Sequence, residues 1–331
     1  MPSVSVVMPV FNAQDTVGRA IRSILDQTLP DIQLVVVDDG STDQSPQIVS
    51  AISDPRLLFL QENHQGVSRT SNTALQHATS KFIARMDADD FADPERLQLQ
   101  LERLHEQDLD VVGSRIRITK PTGEGVPSMS RYEQWINQET IGHDEIMALR
   151  FVEFPLVNPT ILARRKYFDL QFANNDFPED YDLMLRAASL GMKFGKVNAS
   201  LLEWTDGDQR LTRNDSRYSS DAFMACRRHH FHHDVLSGVE TVDLWGSGKT
   251  GKLWFRWLRA IGLRVRRIIE VNPRKVGTSL DGVDVIHCDE MPISDGTVMV
   301  SAVGAMGARD MISKHAATRG YQMGEDLWFV A

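Results

Sequence analysis

Only two cysteines, Cys226 and Cys288, occur in 331 residues. They fit neither a disulfide framework nor a metal-binding spacing, which points to a reducing compartment. Long apolar runs are also missing. None approaches the roughly 20 residues a membrane-spanning helix needs. The apolar stretch at residues 4–10 lacks the basic lead of a secretion signal. Nor is there an excess of positive charge, since 36 basic residues stand against 45 acidic ones for a net charge of −9. That excludes a general nucleic-acid binder, which needs a basic surface. It leaves room for an anionic ligand at a local site. The expectation is a cytoplasmic protein with no membrane span and no nucleic-acid partner.

What is present is an alternating rhythm. Residues 4–10, 32–37, 57–60 and 82–86 read as strands, and 15–27, 45–52 and 67–78 as helices. Val17, Ala20, Ile21, Ile24 and Leu25 share one helical face. Leu34-Val35-Val36-Val37 is a continuous apolar run typical of a parallel sheet buried on both sides. This βαβα pattern predicts a doubly wound α/β sheet, in which ligands bind beyond the carboxyl ends of the strands. Asp38-Asp39-Gly40 and Met86-Asp87-Ala88-Asp89-Asp90 both lie at such ends and should share one crevice. Further on, 95–107 reads as a helix, 111–118 as a strand, and 130–150 as a polar helical segment suited to a lid or an acceptor-facing role.

The acidic stretch carries the most chemistry. Unpaired charges are costly to bury, so three carboxylates at a strand end must meet water, a cation or a partner. Asp87 and Asp89 project to the same side of an extended backbone. Such a pair suits Mn2+ or Mg2+, which can also hold a diphosphate. Capping of the following helix explains Asp90 and Asp93 better than it explains Asp87 and Asp89.

Five stretches in order resemble family 2 inverting glycosyltransferases of the GT-A fold. They are Val6-Val7-Met8-Pro9-Val10-Phe11-Asn12, residues 35–43, Gly66-Val67-Ser68-Arg69 with Asn72, residues 83–90, and Phe177-Pro178-Glu179-Asp180-Tyr181-Asp182-Leu183. The resemblance covers roughly residues 1–235. It implies a GT-A-type mixed sheet and a nucleotide-diphosphate sugar donor, with a UDP-sugar first and guanosine or thymidine nucleotides in reserve. The implied acceptor is a saccharide or lipid-linked saccharide. Pro9, Phe11, Asn12 and Asp39 are implied on the nucleotide, with Phe11 offering an aromatic face. Arg69 is implied near phosphate and Asp87 near ribose or metal, with Asp89 as metal ligand. Asp180 is implied as general base. From the residues alone Asp180 could equally cap the next helix, and Glu179 and Asp182 compete for its role. Two departures stand out: Ser71 replaces an Arg common in relatives, and 204–208 offers no late His.

Composition shifts near Ser237-Gly238, so domains at 1–235 and 239–331 are expected. The second reads as a smaller Rossmann-like α/β domain. Its Gly246, Gly248 and Gly251 fit G-x-G-x-x-G between a strand and a helix, and Glu270 ends the next strand, a pattern suited to a nucleotide. A P-loop is excluded, because the required first glycine is Asp243. Arg256, Arg259, Arg264, Arg266 and Arg267 make this part basic, with a solvated face as the default and contact with an anionic membrane face as the minority reading. His229 and His233 share a helical face but lack the intervening Glu of a zinc signature.

The leading expectation is a metal-dependent inverting glycosyltransferase of bacterial surface polysaccharide or glycoconjugate synthesis. A sugar nucleotidyltransferase needs a Gly-rich loop after the first strand, where this chain has Met8-Pro9-Val10-Phe11-Asn12. A non-catalytic nucleotide-sugar-binding or scaffold protein would have no use for Asp87, Asp89 and Asp180 together.

Overall fold

The structure, a computed structural model, describes residues 1–138, 142–207 and 215–331. The chain separates into two compact units. One comprises Met1–Ile146 and Pro155–Cys226, the other Met147–Phe154 and Arg227–Ala331.

The first unit begins as its sequence pattern dictates. Strands β1 (Val4–Val10), β2 (Ile32–Asp38), β3 (Leu57–Gln61) and β4 (Phe82–Arg85) alternate with helices α1 (Val17–Leu25), α2 (Ser45–Ser50) and α3 (Val67–His77). Strand β1 runs parallel to β2 on one side and β4 on the other. Successive side chains of β2 point to opposite sheet faces, and Leu34, Val35, Val36 and Val37 are all fully buried, so both faces are covered. Helix α1 buries Val17, Ala20, Ile21 and Ile24 against the same core. Each large apolar side chain so buried contributes about 1.5–3 kcal/mol.

The rest of this unit adds β5 (Phe91–Ala92), α4 (Arg96–Glu106), β6 (Val111–Thr119), α5 (Ser130–Gln138), α6 (His143–Leu149), β7 (Leu162–Arg164), α7 (Arg165–Phe168), α8 (Glu179–Ser189) and β8 (Phe194–Thr205). Among the described residues the sheet order is β3-β2-β1-β4-β7-β6-β8-β5. Strand β7 is antiparallel to both β4 and β6, which makes the sheet mixed. The order reverses at β1 and β4, so the crevice for a ligand lies past Val10 and Arg85. The expected helical stretch 130–150 is two helices, and residues 139–141 between them lie outside the described residues. So does Asp208, at the end of the 204–208 stretch that has no late His.

The second unit holds β9 (Thr241–Trp245), β10 (Arg264–Glu270), β11 (Ser279–Leu280), β12 (Val283–His287), β13 (Met299–Ser301) and β14 (Leu327–Phe329). The order is β11-β12-β10-β9-β13-β14, with only β11 antiparallel. Its five parallel strands follow the 3-2-1-4-5 order of a Rossmann sheet. Helix α9 (Ser220–Asp234) precedes it, and α10 (Lys249–Ala260) and α11 (Ala308–Ala317) flank its strands.

The unit boundaries differ from 1–235 and 239–331 in two ways. Arg227 onward belongs with the second unit, and so does the distant segment 147–154. The cause is aromatic packing. The Phe151 ring meets Phe231 edge-on at 5.0 Å and Trp328 at 5.8 Å. Arg150 lies over both Phe151 and Trp328, at 4.4 and 4.7 Å. A cut near residue 236 would therefore strip Phe151 of Trp328.

The glycine pattern of the second unit has a steric reason. A side chain at Gly251 would bring its Cβ within 1.9 Å of the Gly246 carbonyl oxygen. Only glycine lets α10 start this close to the turn after β9.

Candidate active site

Five backbone segments converge at the carboxyl ends of β1, β2 and β4. Asp39 follows β2, and its amide donates to the Val10 carbonyl at 2.8 Å. Gly40 has φ +73, and a Cβ there would lie 2.7 Å from the His64 nitrogen. The turn is thus pressed against 64–66, and Asp39 clamps it. Its Oδ1 accepts the Gln65 amide at 2.8 Å and its Oδ2 the Gly66 amide at 2.9 Å. His64 Nδ1 stands 2.9 Å from the same Oδ2. The base contact implied for Asp39 has to share oxygens already used by the fold. Asp38 is different: one oxygen accepts the Ser41 amide at 3.1 Å, while buried Oδ1 has no hydrogen-bond partner among the described residues.

Phe11 stays open at the crevice mouth, 46% exposed. It stacks on the His64 ring with centroids 4.4 Å apart and planes 29° apart. The imidazole thus covers one face of the Phe11 ring and braces it. Asn12 has a more local task. Its Oδ1 accepts the Thr42 amide at 2.8 Å, and its own amide donates to Ser41 Oγ at 2.9 Å. Pro9 sits opposite Val37 in the β1–β2 pairing. Asp43 takes the Ser45 amide at 2.9 Å and the Gln14 amide at 3.0 Å, a turn ahead of α2, whose N-cap is Gln44.

The acidic loop forms the crevice's other wall. One carboxylate oxygen from each of Asp87, Asp89 and Asp90 lies within 4.8 Å of the other two. Three hard oxygen donors this close fit a Mg2+- or Mn2+-sized cation. Asp90 is partly committed elsewhere, since its Oδ1 accepts the Thr205 amide at 2.8 Å. It ties the loop to β8 rather than capping α4. Asp93 instead accepts the Glu95 amide at 3.0 Å. Arg85 braces the cluster by a 2.7 Å ion pair with Asp87.

Sequence reasoning missed Arg96, which it read only as part of a helix start. This guanidinium is fully buried beneath the loop and donates to the Arg85 carbonyl at 2.7 Å and to Gln100 at 3.1 Å. Burial lowers its pKa to about 10, while the charges of Asp90 and Asp87 oppose the shift. Arg96 is a fixed internal counter-charge for the carboxylates. The Asp-Pro-Glu-Arg order gives no hint of it, because the contact depends on how α4 packs against β6, β7 and β8.

Asp180 and Glu179 open α8, whose N-cap is Pro178. Asp180 is therefore inside the first turn, with its Oδ1 accepting the Tyr181 amide at 2.7 Å. Burial pushes its carboxyl up to about 6; the Asp87 charge adds to the rise, and the Tyr181 amide and Arg85 oppose it. The influence of Asp87 and Arg85 sets Asp180 within electrostatic reach of the acidic loop. Glu179 is buried, and that burial together with the Asp180 charge raises it to about 7. Asp182 is excluded from this pair by its own partner, Arg186, at 2.8 Å.

Arg69 is exposed on the first turn of α3. A second guanidinium reaches the same turn: Arg217 Nη1 lies 3.5 Å from Ser68 Oγ. Arg217 is itself held by Asp215 at 2.6 Å.

These features match one family. The profile described as Glycosyl transferase family 2 covers residues 5–170. The chain belongs to glycosyl transferase family 2. An uncharacterized glycosyltransferase of Haemophilus influenzae is 37% identical over 216 residues, spanning 60% of this chain and 82% of that protein. Chondroitin synthase of Escherichia coli is 33% identical over 104 residues, but these are 31% of this chain and only 15% of that enzyme. Among solved structures, S. aureus TarS in complex with UDP-GlcNAc aligns with a TM-score of 0.57 at 22% identity, over 71% of this chain and 68% of that one. The mannosyltransferase PcManGT of Pyrobaculum calidifontis, solved with GDP-Man and Mn2+, aligns with a TM-score of 0.51 at 18% identity, over 72% of this chain and 64% of that one. These structural likenesses establish the fold of this glycosyltransferase.

In the second unit, the glycine turn and Glu270 do come together. Glu270 is occupied, however. It accepts from the Ser247 hydroxyl and, at 3.0 and 3.2 Å, from the Val271 and Asn272 amides, and Lys275 Nζ lies at 3.3 Å. Burial works against its charge, but these hydrogen bonds win and hold its carboxyl near 2. A ribose at Glu270 would have to displace one of these donors. Among the described residues, no helix is long and apolar enough to cross a membrane.

Proposed function

We propose that this glycosyltransferase inverts the anomeric centre of a nucleotide-diphosphate sugar as it transfers the sugar to a hydroxyl acceptor. The observation that carries the reading is the place of Asp180, in the first turn of α8 and within electrostatic reach of the acidic loop, where burial first and the Asp87 charge second push its carboxyl up to about 6. A base in that range is ionised at neutral pH and still basic enough to take a proton in the transition state. Asp89 and Asp87 would hold Mn2+ or Mg2+, which supplies Lewis-acid stabilisation of the departing diphosphate. Phe11 stacks on the nucleotide base, braced by His64 on its other face. Asp180 removes the acceptor hydroxyl's proton, the acceptor oxygen bonds to the anomeric carbon, and the carbon–oxygen bond to the diphosphate breaks with its electron pair leaving on the diphosphate. Arg69 and Arg217 stand beside the charge that develops.

A UDP-sugar is the first donor to test, and a saccharide or lipid-linked saccharide of a bacterial surface polymer the acceptor class. The names of the relatives, chondroitin synthase and TarS with UDP-GlcNAc, favour both. Thermal unfolding in the presence of UDP-, GDP- and TDP-sugars, each with Mn2+ or with EDTA, tests the reading. A ligand at 100 times its Kd stabilises by about 2.7 kcal/mol. Stabilisation by one nucleotide class, abolished by EDTA, is expected. Equal stabilisation with and without metal would remove the metal from donor binding.

A further inference from the structure

Tyr218 lies far from Glu179 in sequence, yet its hydroxyl sits 2.6 Å from Glu179 Oε1 and 2.5 Å from Oε2. A phenol with both oxygens of one carboxylate in reach fixes that carboxylate in position. The turn that carries Tyr218 is itself fixed. Asp215 accepts the Arg217 amide at 2.9 Å and grips its guanidinium through both oxygens. Arg217 in turn adds positive charge beside Glu179. No expectation from the sequence gave Tyr218 or Arg217 a task.

We propose that Tyr218 is a positioning residue for the general base, acting through Glu179, a role that rests on Asp180 being that base. It stabilises the ionised Glu179 next to Asp180, and the charge of Glu179 keeps Asp180 strongly basic.

Two neighbouring carboxylates lose their protons in two steps that belong to the pair. Burial and the charges of Asp180 and Asp87 oppose ionisation here, while Tyr218, Arg217, Arg85 and the Tyr181 amide favour it. The buried Tyr167 phenol also feels Asp180, and its own rise, due first to burial, keeps it neutral. When only the first proton has left, Asp180 is ionised beside a neutral Glu179. When the second leaves, like-charge repulsion raises the affinity of Asp180 for the acceptor's proton. A hydroxyl that donates to Glu179 lowers the pH of the second step. Removing it moves that step up and leaves the first in place.

The test is the pH profile of kcat for Tyr218→Phe, with Asp180→Asn as reference. Tyr218→Phe keeps the ring, which packs 6.4 Å from Phe223. The expected result is a rise in the upper pH step by about one unit, so that turnover falls several-fold near pH 7 and recovers at higher pH, since one unit is tenfold in ionised fraction. Donor KM should not change. In the Glu179→Gln background, which has no second proton to lose, Tyr218→Phe should produce no shift. A loss of turnover that is uniform across pH, or a shift that persists with Glu179→Gln, overturns the proposal. Should Tyr218→Phe unfold, Glu179→Gln alone must still abolish the upper step, and a retained step overturns the proposal equally. Full activity in Asp180→Asn would instead fail the base assignment itself, which separates the two claims.

Discussion

Asp180→Asn should lower turnover by about 10²–10⁴-fold, the usual contribution of positioned proton transfer, with donor binding retained. The amide keeps the shape of the carboxylate and its bond from the Tyr181 amide but cannot accept the acceptor's proton. The same change should not harm the fold. The Asp180 carboxyl lies near 6 when folded, above its ordinary value of 3.8. The folded state then binds the proton more tightly, so the resulting stability is complete below about 3.8 and disappears as pH rises through 6. At pH 7 the ionised carboxylate is a net cost, and Asp180→Asn should match or exceed the parent's thermal midpoint. Isothermal titration with a nucleotide sugar, alongside turnover, checks both halves. Near-normal turnover in Asp180→Asn with a collapse in Glu179→Gln would move the base by one residue.

Asp89→Ala should remove metal-dependent donor binding, the second large effect. Asp87 already spends one oxygen on Arg85, and Asp90 spends one on the Thr205 amide. Asp89 sits beside Asp87 past the end of β4, with one carboxylate oxygen of each of Asp87, Asp89 and Asp90 within 4.8 Å of the others, and is the expected main ligand. The fold should persist, because Arg96 and Arg85 keep the loop compensated from beneath. Mn2+ titration is the measurement, with affinity expected to fall at least tenfold, the scale on which even supporting groups tune a metal site. Unchanged Mn2+ affinity would give the ligand role to Asp87 and Asp90.

Much of this site was legible from local pattern. Asp87 and Asp89 stand out because capping and turn formation explain a carboxylate pair at a strand end poorly, whereas Asp180, an ordinary residue type for a helix start, stands out only through the order of the motifs. The sheet was legible where strands are continuous apolar runs, as in β2. It was not in β8, where Gly195, Asn198 and Ser200 interrupt the run, nor in β7, which is three residues long. The remaining gaps share one cause. Arg96, His64, Tyr218 and segment 147–154 draw their roles from contacts set by packing. His64 gains significance only when Gly40 lets its loop press on Asp39. Phe151 joins the second unit because Phe231 and Trp328 offer it a surface. Residue type and spacing carry no record of such pairs. Asp39 shows the converse: its identity suggests a ligand contact, while its position gives it two backbone amides to hold.

The anomeric configuration of the product tests the central claim most directly. A base opposite the leaving diphosphate permits a single displacement at the anomeric carbon. Once the thermal screen has named a donor, NMR of the first product linkage reads the outcome. An α-linked donor sugar should give a β-linked product, and a β-linked donor the reverse. A product that retains the donor's configuration would contradict the role of Asp180 and the mechanism built on it.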